Sequence, residues 1–230
     1  MRIQGLQKLT LLDYPGKTAC TVFFGGCNFL CPFCHNAALV TGVEENEDIP
    51  QETVLEFLKK RKGILDGVCI SGGEPLIQPG LDEFLKKVRD LGYLIKLDTN
   101  GSFPERLERF VEEGLVDQVA MDLKNSKEKY GQTIGLPKFD IRPVEESVEF
   151  LLEDPVPYAF RTTVVREFHQ KSDFEQMGLW IRGARKYYLQ QFENSGGLIQ
   201  DGLHAYDEPV LFQALEIMKH YVKDAEIRGI

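Results

Sequence analysis

Three cysteines, Cys27, Cys31 and Cys34, lie close together near the amino-terminal end of the chain. Thiolates are good ligands for iron, and three of them on one short loop satisfy three irons of a 4Fe-4S cube, which needs four ligands to close. A structural metal site closes its coordination sphere with protein ligands, whereas a reactive site keeps one position open for a small molecule. The spacing therefore predicts an enzyme built around a cluster with one open iron.

Zinc binding and disulfide bonding are the alternatives for these cysteines. Structural zinc usually takes four ligands from paired motifs, no second CxxC or HxxxH occurs, and His35 would have to fold back sharply to act as the fourth ligand. A disulfide would leave an odd cysteine among the three. The remaining two, Cys20 and Cys69, lie in apolar runs and are expected to be small buried hydrophobic residues.

Length and composition favour one compact domain, since the chain has 230 residues of which 43% are hydrophobic. We expect residues 1–17 to form an N-terminal extension, 18–192 the core, and 193–230 a C-terminal loop and helix. The chain begins without a charged head and apolar signal core, and no stretch approaches the ~20 apolar residues of a membrane span. A cytoplasmic protein with no membrane partner is therefore expected.

The charge balance bears on possible partners. The formal net charge is -9, and the lysines and arginines are dispersed among acidic residues. Proteins that bind a phosphate backbone normally present a basic face. Nucleic acid is therefore not expected as a partner.

Short apolar runs alternate with amphipathic helical stretches, which is the pattern of a parallel α/β fold. Six runs are predicted as strands: 18–24, 67–70, 94–97, 118–123, 158–165 and 187–192. Six strand-helix units are too few for a closed eight-stranded barrel, so the sequence predicts an open, partial (βα)6 barrel of the TIM type. Ser102 with Glu105, and Ser172 with Glu175, have the capping-box spacing that starts a helix.

Polar residues collect where the predicted strands end, which is where barrel-like α/β folds place their chemistry. Gly72 and Gly73 follow the second strand, and glycines let a backbone approach a ligand closely. Asp98 ends the third strand, and Asp122 ends the fourth, followed shortly by Lys124. Each feature alone is typical of a turn or a solvated strand end, but together with the cysteine loop they predict one site.

These residues resemble the radical S-adenosylmethionine (SAM) enzymes, whose CxxxCxxC signature matches Cys27, Cys31 and Cys34. Within that superfamily the chain is similar to the glycyl-radical-enzyme activases, most closely to those that activate anaerobic ribonucleoside-triphosphate reductase. The resemblance extends from about Leu11 to Phe192. It rests on Leu12-Asp13-Tyr14-Pro15-Gly16, Cys34-His35-Asn36, Ser71-Gly72-Gly73-Glu74-Pro75, Asp98-Thr99-Asn100-Gly101 and Met121-Asp122-Leu123-Lys124.

The resemblance implies a reaction and its partners. An electron from a flavodoxin- or ferredoxin-like donor would reduce the cluster, and SAM would be cleaved to methionine and a 5′-deoxyadenosyl radical. That radical would take a hydrogen atom from a backbone glycine of a glycyl-radical enzyme, which is anaerobic ribonucleotide reductase in the most similar activases. No catalytic side chain is expected beyond the cluster and SAM.

The resemblance also implies roles for individual residues. The three cysteines would bind one 4Fe-4S cluster, and SAM would bind the free iron through its amino and carboxylate groups. Gly72 and Gly73 would face the amino group, with Glu74 holding their turn. The remaining residues assigned to the SAM site are Phe33 and His35 beside adenine, Lys124 and Arg161 beside the carboxylate or ribose, and Asp98, Asn100 and Asp122. Asp98 and Asp122 would also hold a monovalent cation.

One motif departs from the family. Similar activases carry a histidine at the end of the sixth strand, where this chain has Gln191-Phe192-Glu193. Phe192 is expected either to stack on adenine or to be a core aromatic. Residues 194–208 are expected to be either a plain connection or a partner-docking loop, with the connection favoured.

Two other functions remain open at this point. A small-molecule radical SAM enzyme, such as a 7-carboxy-7-deazaguanine synthase, shares the short chain and the single cluster. A non-catalytic metal-binding interaction module would predict zinc and no turnover.

Overall fold

The computed structural model describes residues 1–194 and 196–230 and contains one eight-stranded sheet. The strands are β1 (Ile3–Thr10), β2 (Ala19–Phe24), β3 (Gly67–Gly72), β4 (Leu94–Thr99), β5 (Gln118–Asp122), β6 (Tyr158–Val164), β7 (Tyr187–Gln191) and β8 (Ala225–Arg228). The helices are α1 (Ala38–Thr41), α2 (Gln51–Arg61), α3 (Leu81–Asp90), α4 (Pro104–Glu112), α5 (Tyr130–Thr133), α6 (Arg142–Leu152), α7 (Lys171–Trp180) and α8 (Glu208–Lys219). A 3-10 turn covers Pro75–Ile77.

The strands lie in the sheet in their sequence order, from β1 at one edge to β8 at the other. β2 to β8 are parallel, and β1 is antiparallel to β2. The two edge strands do not pair with each other within the described residues, so the sheet does not close. This arrangement confirms the predicted open partial barrel.

The six predicted strands correspond to β2 through β7, and two further strands were not predicted. β1 lies within the residues expected to form an N-terminal extension, and most of its side chains are half-buried or exposed. β8 has only four residues and follows the predicted C-terminal helix, which is α8. Neither strand has the continuous apolar run of a strand buried on both faces.

The central strands form because their residues are buried on both faces of a parallel sheet. In β3, Val68, Cys69 and Ile70 are all fully buried, and helices such as α3 pack their apolar side against the sheet. Cys20 and Cys69 are free thiols in this core, as predicted. Among the described helices, none is long and apolar enough to cross a membrane.

Both predicted capping boxes are wrong. Helix α7 does begin with a capping box, but it is formed by Gln170 and Asp173, two residues earlier than expected. Helix α4 begins at Pro104 without a side-chain cap, and the Ser102 hydroxyl instead donates to Asn100 Oδ1 at 2.6 Å. Ser102 therefore stabilises the loop after β4 rather than the helix.

The segment 194–208 includes Ser195, which lies outside the described residues. Two of its other residues contact the rest of the protein, since the Gln200 amide donates to the Pro32 carbonyl at 3.0 Å and Leu203 is buried. The connection from β7 to α8 therefore runs beside the loop that carries the cysteines.

Candidate active site

A cavity of about 250 Å³ lies at the carboxyl ends of the parallel strands. It is lined by all the predicted site residues except Glu74, namely Cys27, Cys31, Phe33, Cys34, His35, Gly72, Gly73, Asp98, Asn100, Asp122, Lys124 and Arg161. These residues come from the ends of strands that are far apart in sequence. The fold therefore brings the predicted site together in one place.

The three cysteines occupy the loop between β2 and α1, which is held at several points. The Cys34 amide donates to the Cys31 carbonyl at 3.0 Å, and the Phe29 amide donates to Cys27 Sγ at 3.3 Å. The Leu30 amide donates to the Ile134 carbonyl at 3.0 Å. All three thiols are free and line the same cavity.

Burial shapes the chemistry of these thiols. It raises the pKa of Cys27 to about 12 and that of Cys31 to about 11, and it also raises the pKa of Cys34. The nearby Lys124 ammonium opposes burial and lowers the pKa of all three thiols. A cationic iron centre would supply the missing positive charge, because metal binding displaces the thiol protons. The donor set therefore fits an iron-sulfur cluster bound by three thiolates.

Two glycines at the end of β3, Gly72 and Gly73, allow the chain to pass close to the cysteine loop. A Cβ on Gly73 would lie 2.0 Å from the Gly26 carbonyl oxygen, and one on Gly72 would lie 2.3 Å from the Phe24 backbone. The Gly73 amide donates to the Phe24 carbonyl at 2.8 Å. No side chain fits at either position, so the glycines are required by the close packing of two backbone segments.

Glu74 lies beneath the cavity instead of lining it. It is fully buried, and its carboxylate accepts hydrogen bonds from the Leu76 amide at 3.0 Å, the Thr99 hydroxyl at 2.9 Å and the Asn100 amide at 2.7 Å. Burial raises the pKa of this carboxyl to about 7, against the opposing effect of the three donors. Glu74 therefore joins the end of β3 to the end of β4.

Asn100 connects the β4 loop to the cysteine loop. Its side-chain amide donates to Asn28 Oδ1 at 2.9 Å and lies 3.9 Å from Cys27 Sγ. Its side-chain oxygen, Oδ1, accepts a hydrogen bond from the Ser102 amide at 2.9 Å. Asn100 is therefore held in place beside the first cysteine.

Charged side chains from β4, from β6 and from the end of β5 form a connected group, of which Asp98, Asp122, Lys124 and Arg161 line the cavity. Asp122 accepts from Arg161 Nε at 2.7 Å through one oxygen and from Lys124 Nζ at 2.9 Å through the other. Asp98 contacts the ammonium of Lys96, and an Arg161 nitrogen lies 3.8 Å from its other oxygen. Three cations thus face two carboxylates, leaving a net charge of one positive unit.

Asp122 and its two neighbouring cations, Arg161 and Lys124, shift one another's pKa values. Burial alone would raise the pKa of Asp122, but Arg161 and Lys124 outweigh it and hold that pKa well below its usual range. The Asp122 carboxylate in turn raises the pKa of Arg161, and it raises that of Lys124 against the effect of burial. Asp122, Lys124 and Arg161 are therefore all ionised at neutral pH.

Sequence reasoning missed Lys96, because it lies between Ile95 and Leu97 in a run that was predicted as an apolar strand. Its side chain is only 5% exposed. A usable signal was present, since Lys96 and Asp98 are two residues apart in a strand and therefore project from the same face. It also missed Asp13, which lines the cavity and accepts a hydrogen bond from Thr21.

The two predicted aromatic residues differ in their position, since Phe33 lines the cavity and Phe192 does not. The Phe33 ring is buried, lines the cavity and packs 5.6 Å from the Phe168 ring. Phe192 is 2% exposed, does not line the cavity, and packs 5.8 Å from the His35 ring. Phe192 is therefore a core aromatic, and Gln190 in the preceding strand β7 lines the cavity.

Comparison with known proteins agrees with this geometry. The family model of the Radical SAM superfamily matches residues 21–180. A Methanocaldococcus jannaschii protein, provisionally assigned as a glycyl-radical enzyme activating enzyme, is 28% identical over 238 residues, which cover 99% of this chain and 96% of that protein. The 7-carboxy-7-deazaguanine synthase of Methanopyrus kandleri is 30% identical over 208 residues, covering 82% and 79% of the two chains.

A solved structure shares the fold. The Streptococcus suis protein SuiB, in its complex with S-adenosylmethionine, superposes with a TM-score of 0.68 at 15% identity, over 91% of this chain and 52% of that one. The fold and the cysteine loop thus define a class of iron-sulfur enzymes that use SAM. The chain belongs to the Radical SAM superfamily, which implies a 4Fe-4S cluster and SAM as its cofactors and supports an enzyme rather than a non-catalytic zinc module.

Proposed function

We propose that this chain is an activase that generates a glycyl radical on a partner enzyme, with anaerobic ribonucleoside-triphosphate reductase as the candidate partner. The observation that carries this proposal is the similarity to a protein assigned as a glycyl-radical enzyme activating enzyme, which extends over nearly the whole of both chains. The motifs Cys34-His35-Asn36 and Asp98-Thr99-Asn100-Gly101, which resemble those of activases, support it.

In this proposal Cys27, Cys31 and Cys34 bind three irons of one 4Fe-4S cluster, and SAM binds the fourth. When bound, the reduced cluster supplies the electron that cleaves SAM to methionine and a 5′-deoxyadenosyl radical, which takes a hydrogen atom from a glycine Cα of the partner. The electron comes from a flavodoxin- or ferredoxin-like donor. The protein's own residues supply binding, orientation and electrostatics.

The connected group of charged side chains from β4 to β6 is suited to hold the SAM carboxylate. Lys124 and Arg161 line the cavity, and the group to which they belong carries one net positive charge. A carboxylate placed beside it would neutralise that charge in a partly buried setting, where ion pairs are screened less than in bulk water. Phe33 and His35 would flank the adenine, and the backbone at Gly72 and Gly73 would face the amino group.

The open sheet is suited to a polypeptide substrate. β1 and β8 are unpaired edges within the described residues, so one side of the partial barrel is left without strands. A glycine-bearing segment of the partner could approach the cavity from that side. We place the protein in the reducing cytoplasm as a single radical SAM domain, because reduced thiols and iron-sulfur clusters persist there.

The test is transfer of a glycyl radical. The anaerobically reconstituted protein, SAM and a reductant are incubated with anaerobic ribonucleoside-triphosphate reductase, and the glycyl radical is measured by electron paramagnetic resonance. The proposal predicts a radical signal on the reductase that requires SAM and is absent with Cys34→Ala. If 5′-deoxyadenosine is released but no radical forms on the reductase or on pyruvate formate-lyase, the activase assignment fails.

A second candidate is 7-carboxy-7-deazaguanine synthase, favoured by 30% identity over most of both chains. That activity acts on a small molecule and needs no partner protein. Incubation with the substrate of that synthase, followed by mass spectrometry for 7-carboxy-7-deazaguanine, separates the two candidates. Product formation would replace the activase proposal.

A further inference from the structure

The turn between β1 and β2 and the loop after α2 expose several large apolar side chains. Among the described residues, eight such side chains are exposed, and four of them lie in these two segments: Leu9, Leu11, Leu12 and Ile64. Leu12 is 82% exposed, the highest value of the eight. Exposed apolar side chains that gather in one place, with polar residues around them, are typical of a surface that another molecule covers.

Hydrogen bonds hold the turn and the loop side by side. The Thr18 amide donates to Asp66 Oδ2 at 2.8 Å, and the Asp66 amide donates to the Thr18 carbonyl at 2.7 Å. The Thr18 hydroxyl also donates to the Ile64 carbonyl at 3.3 Å. Tyr14 from the turn packs against Gly67, where an added Cβ would lie 2.8 Å from the tyrosine ring. The two exposed segments therefore adjoin each other.

The exposed residues of 7–17 and 59–66, which we call the hairpin patch, are also basic. The patch contains six exposed cations: Lys8, Lys17, Lys59, Lys60, Arg61 and Lys62. Of the two acidic residues in these segments, Asp13 lines the cavity, and Asp66 accepts from the Thr18 hydroxyl at 2.6 Å. The whole chain has a formal net charge of -9, so the fold gathers positive charge here against the overall balance. Such a surface is complementary to an acidic partner.

Helix stability does not account for the patch. Three of the cations end α2, where they suit the negative end of the helix dipole. Lys8 and Lys17 lie outside any helix, and the exposed leucines gain nothing from the dipole. A covering surface accounts for the cations and the leucines together.

The hairpin patch borders the open side of the sheet. β1 is an unpaired edge within the described residues, and the turn that follows it carries Asp13, which accepts from Thr21 and lines the cavity. The preceding residues, Leu11 and Leu12, face solvent. One turn thus reaches both the cavity and the outer surface. A protein seated on the patch is therefore placed to insert a segment into the cavity.

The position of the patch distinguishes between the two proteins that the proposed reaction needs. The patch lies at the amino-terminal end of β2, whereas the cysteine loop follows the carboxyl end. The six residues of β2, at ~3.3 Å each, separate the two by about 20 Å. An electron donor needs close approach to the cluster, whereas a protein that delivers a glycine needs access to the open side. The location favours the protein that delivers the glycine.

We infer that the hairpin patch is the docking surface for the glycyl-radical partner, and that the partner presents an acidic face with an apolar centre to it. The leucines supply apolar contact, and the surrounding cations steer and orient the partner. This inference rests on the proposed activase function, because the occupant is the protein that receives the radical.

The experiment measures the initial rate of glycyl radical formation against the concentration of anaerobic ribonucleoside-triphosphate reductase, with SAM and reductant in excess. Leu11→Ser/Leu12→Ser removes the apolar centre of the patch, and it should fold and bind SAM as the natural protein does because both side chains are exposed. Its KM for the reductase should rise by roughly tenfold or more, with a smaller change in kcat, because docking and not chemistry is weakened. Leu179→Ser, at an exposed leucine in α7, is the matched control and should keep the natural KM.

Lys62→Glu tests the charge of the patch and leaves its leucines in place. The KM for the reductase should rise by roughly fivefold at low ionic strength. The difference from the natural protein should shrink as salt is added, because salt screens exposed charges. Lys171→Glu, at an exposed lysine in α7, is the matched control and should keep the natural KM at every salt concentration.

The outcomes separate the docking surface from the proposed function. If the natural protein forms no radical on the reductase or on pyruvate formate-lyase, the proposed function fails, and this occupant fails with it. If the natural protein forms the radical and both patch variants keep the natural KM, the docking surface alone is overturned.

Two other occupants of the patch are tested directly. If the natural protein sediments as a dimer and Leu11→Ser/Leu12→Ser as a monomer, a second copy of this chain covers the patch and the inference is overturned. Co-sedimentation of the natural protein, but not of this variant, with vesicles of phosphatidylglycerol and phosphatidylcholine would show that a membrane covers it. That result would overturn the inference as well.

Discussion

Gly73→Ala tests how strictly the cysteine loop depends on the close approach of β3. The new Cβ would lie 2.0 Å from the Gly26 carbonyl oxygen, whereas real Cβ atoms essentially never come closer than 3.0 Å, so the two segments must separate by about 1 Å. Gly26 directly precedes Cys27, and its carbonyl accepts the Glu74 amide at 2.8 Å. Overpacking costs roughly 1–3 kcal/mol and the lost hydrogen bond about 1 kcal/mol, so the metal-free protein should lose about 2–4 kcal/mol.

Urea unfolding of the metal-free protein measures this loss, and iron content after anaerobic reconstitution measures the effect on the cysteine loop. Because Cys27 moves with Gly26, Gly73→Ala should also retain less iron and bind SAM more weakly. Gly80→Ala is the control, since Gly80 has a φ of +71 and no atom within 4 Å of the added Cβ. It should cost about 1 kcal/mol through backbone strain and leave iron content unchanged. If Gly73→Ala loads iron and unfolds like Gly80→Ala, the close packing does not position the cluster loop.

Three further predictions concern single residues. Cys34→Ala should remain soluble but fail to assemble the cluster, whereas Cys20→Ala should assemble it, as measured by iron content and the visible spectrum; cluster formation by Cys34→Ala would refute the three-ligand assignment. Arg161→Met should reduce the free energy of unfolding by about 2–4 kcal/mol in urea titrations, because it leaves the Asp122 carboxylate with Lys124 as its remaining cation; an unchanged midpoint would show that the pair is not stabilising. The pKa of Glu74, raised to about 7, means that the folded state binds a proton more tightly than the unfolded state, so stability should fall by about 3 kcal/mol as pH rises from about 4.5 to 7. Glu74→Gln has no carboxyl at this position, so its stability should not fall in this way over the same pH range. If the free energy of unfolding depends on pH equally in the two proteins, the raised pKa of Glu74 is contradicted.

The parts of the fold that could be predicted are those in which local sequence and burial agree. β3 contains an apolar run, Val68 to Ile70, that is buried on both faces, and this pattern is readable without a structure. β1 could not be predicted in this way, because its side chains are largely half-buried or exposed and it is stabilised by pairing with β2. β8 is short and is positioned by β7, which is distant in sequence.

In the candidate site, too, some features can be predicted from local sequence and others depend on the folded structure. The spacing of Cys27, Cys31 and Cys34 is local, and the residues that follow strand ends converge because parallel strands end at one edge of the sheet. The spacing of Lys96 and Asp98 places both on one face of β4, but the burial of Lys96 depends on neighbours from other strands, such as Cys69, and becomes visible only in three dimensions. The role of Glu74 is similar, because two of its three donors belong to the next strand and its loop.

The most direct test of the proposed function is whether SAM coordinates the cluster. SAM carrying magnetic isotopes in its amino and carboxylate groups is bound to the anaerobically reconstituted protein. The cluster is then reduced in the frozen sample, so that SAM is not cleaved, and is examined by electron-nuclear double resonance. If SAM binds the open iron through its amino and carboxylate groups, both labelled groups should show hyperfine coupling to the cluster. This coupling should be lost when SAM is omitted. A cluster spectrum that is unchanged by SAM and shows no coupling would contradict an open iron facing this cavity.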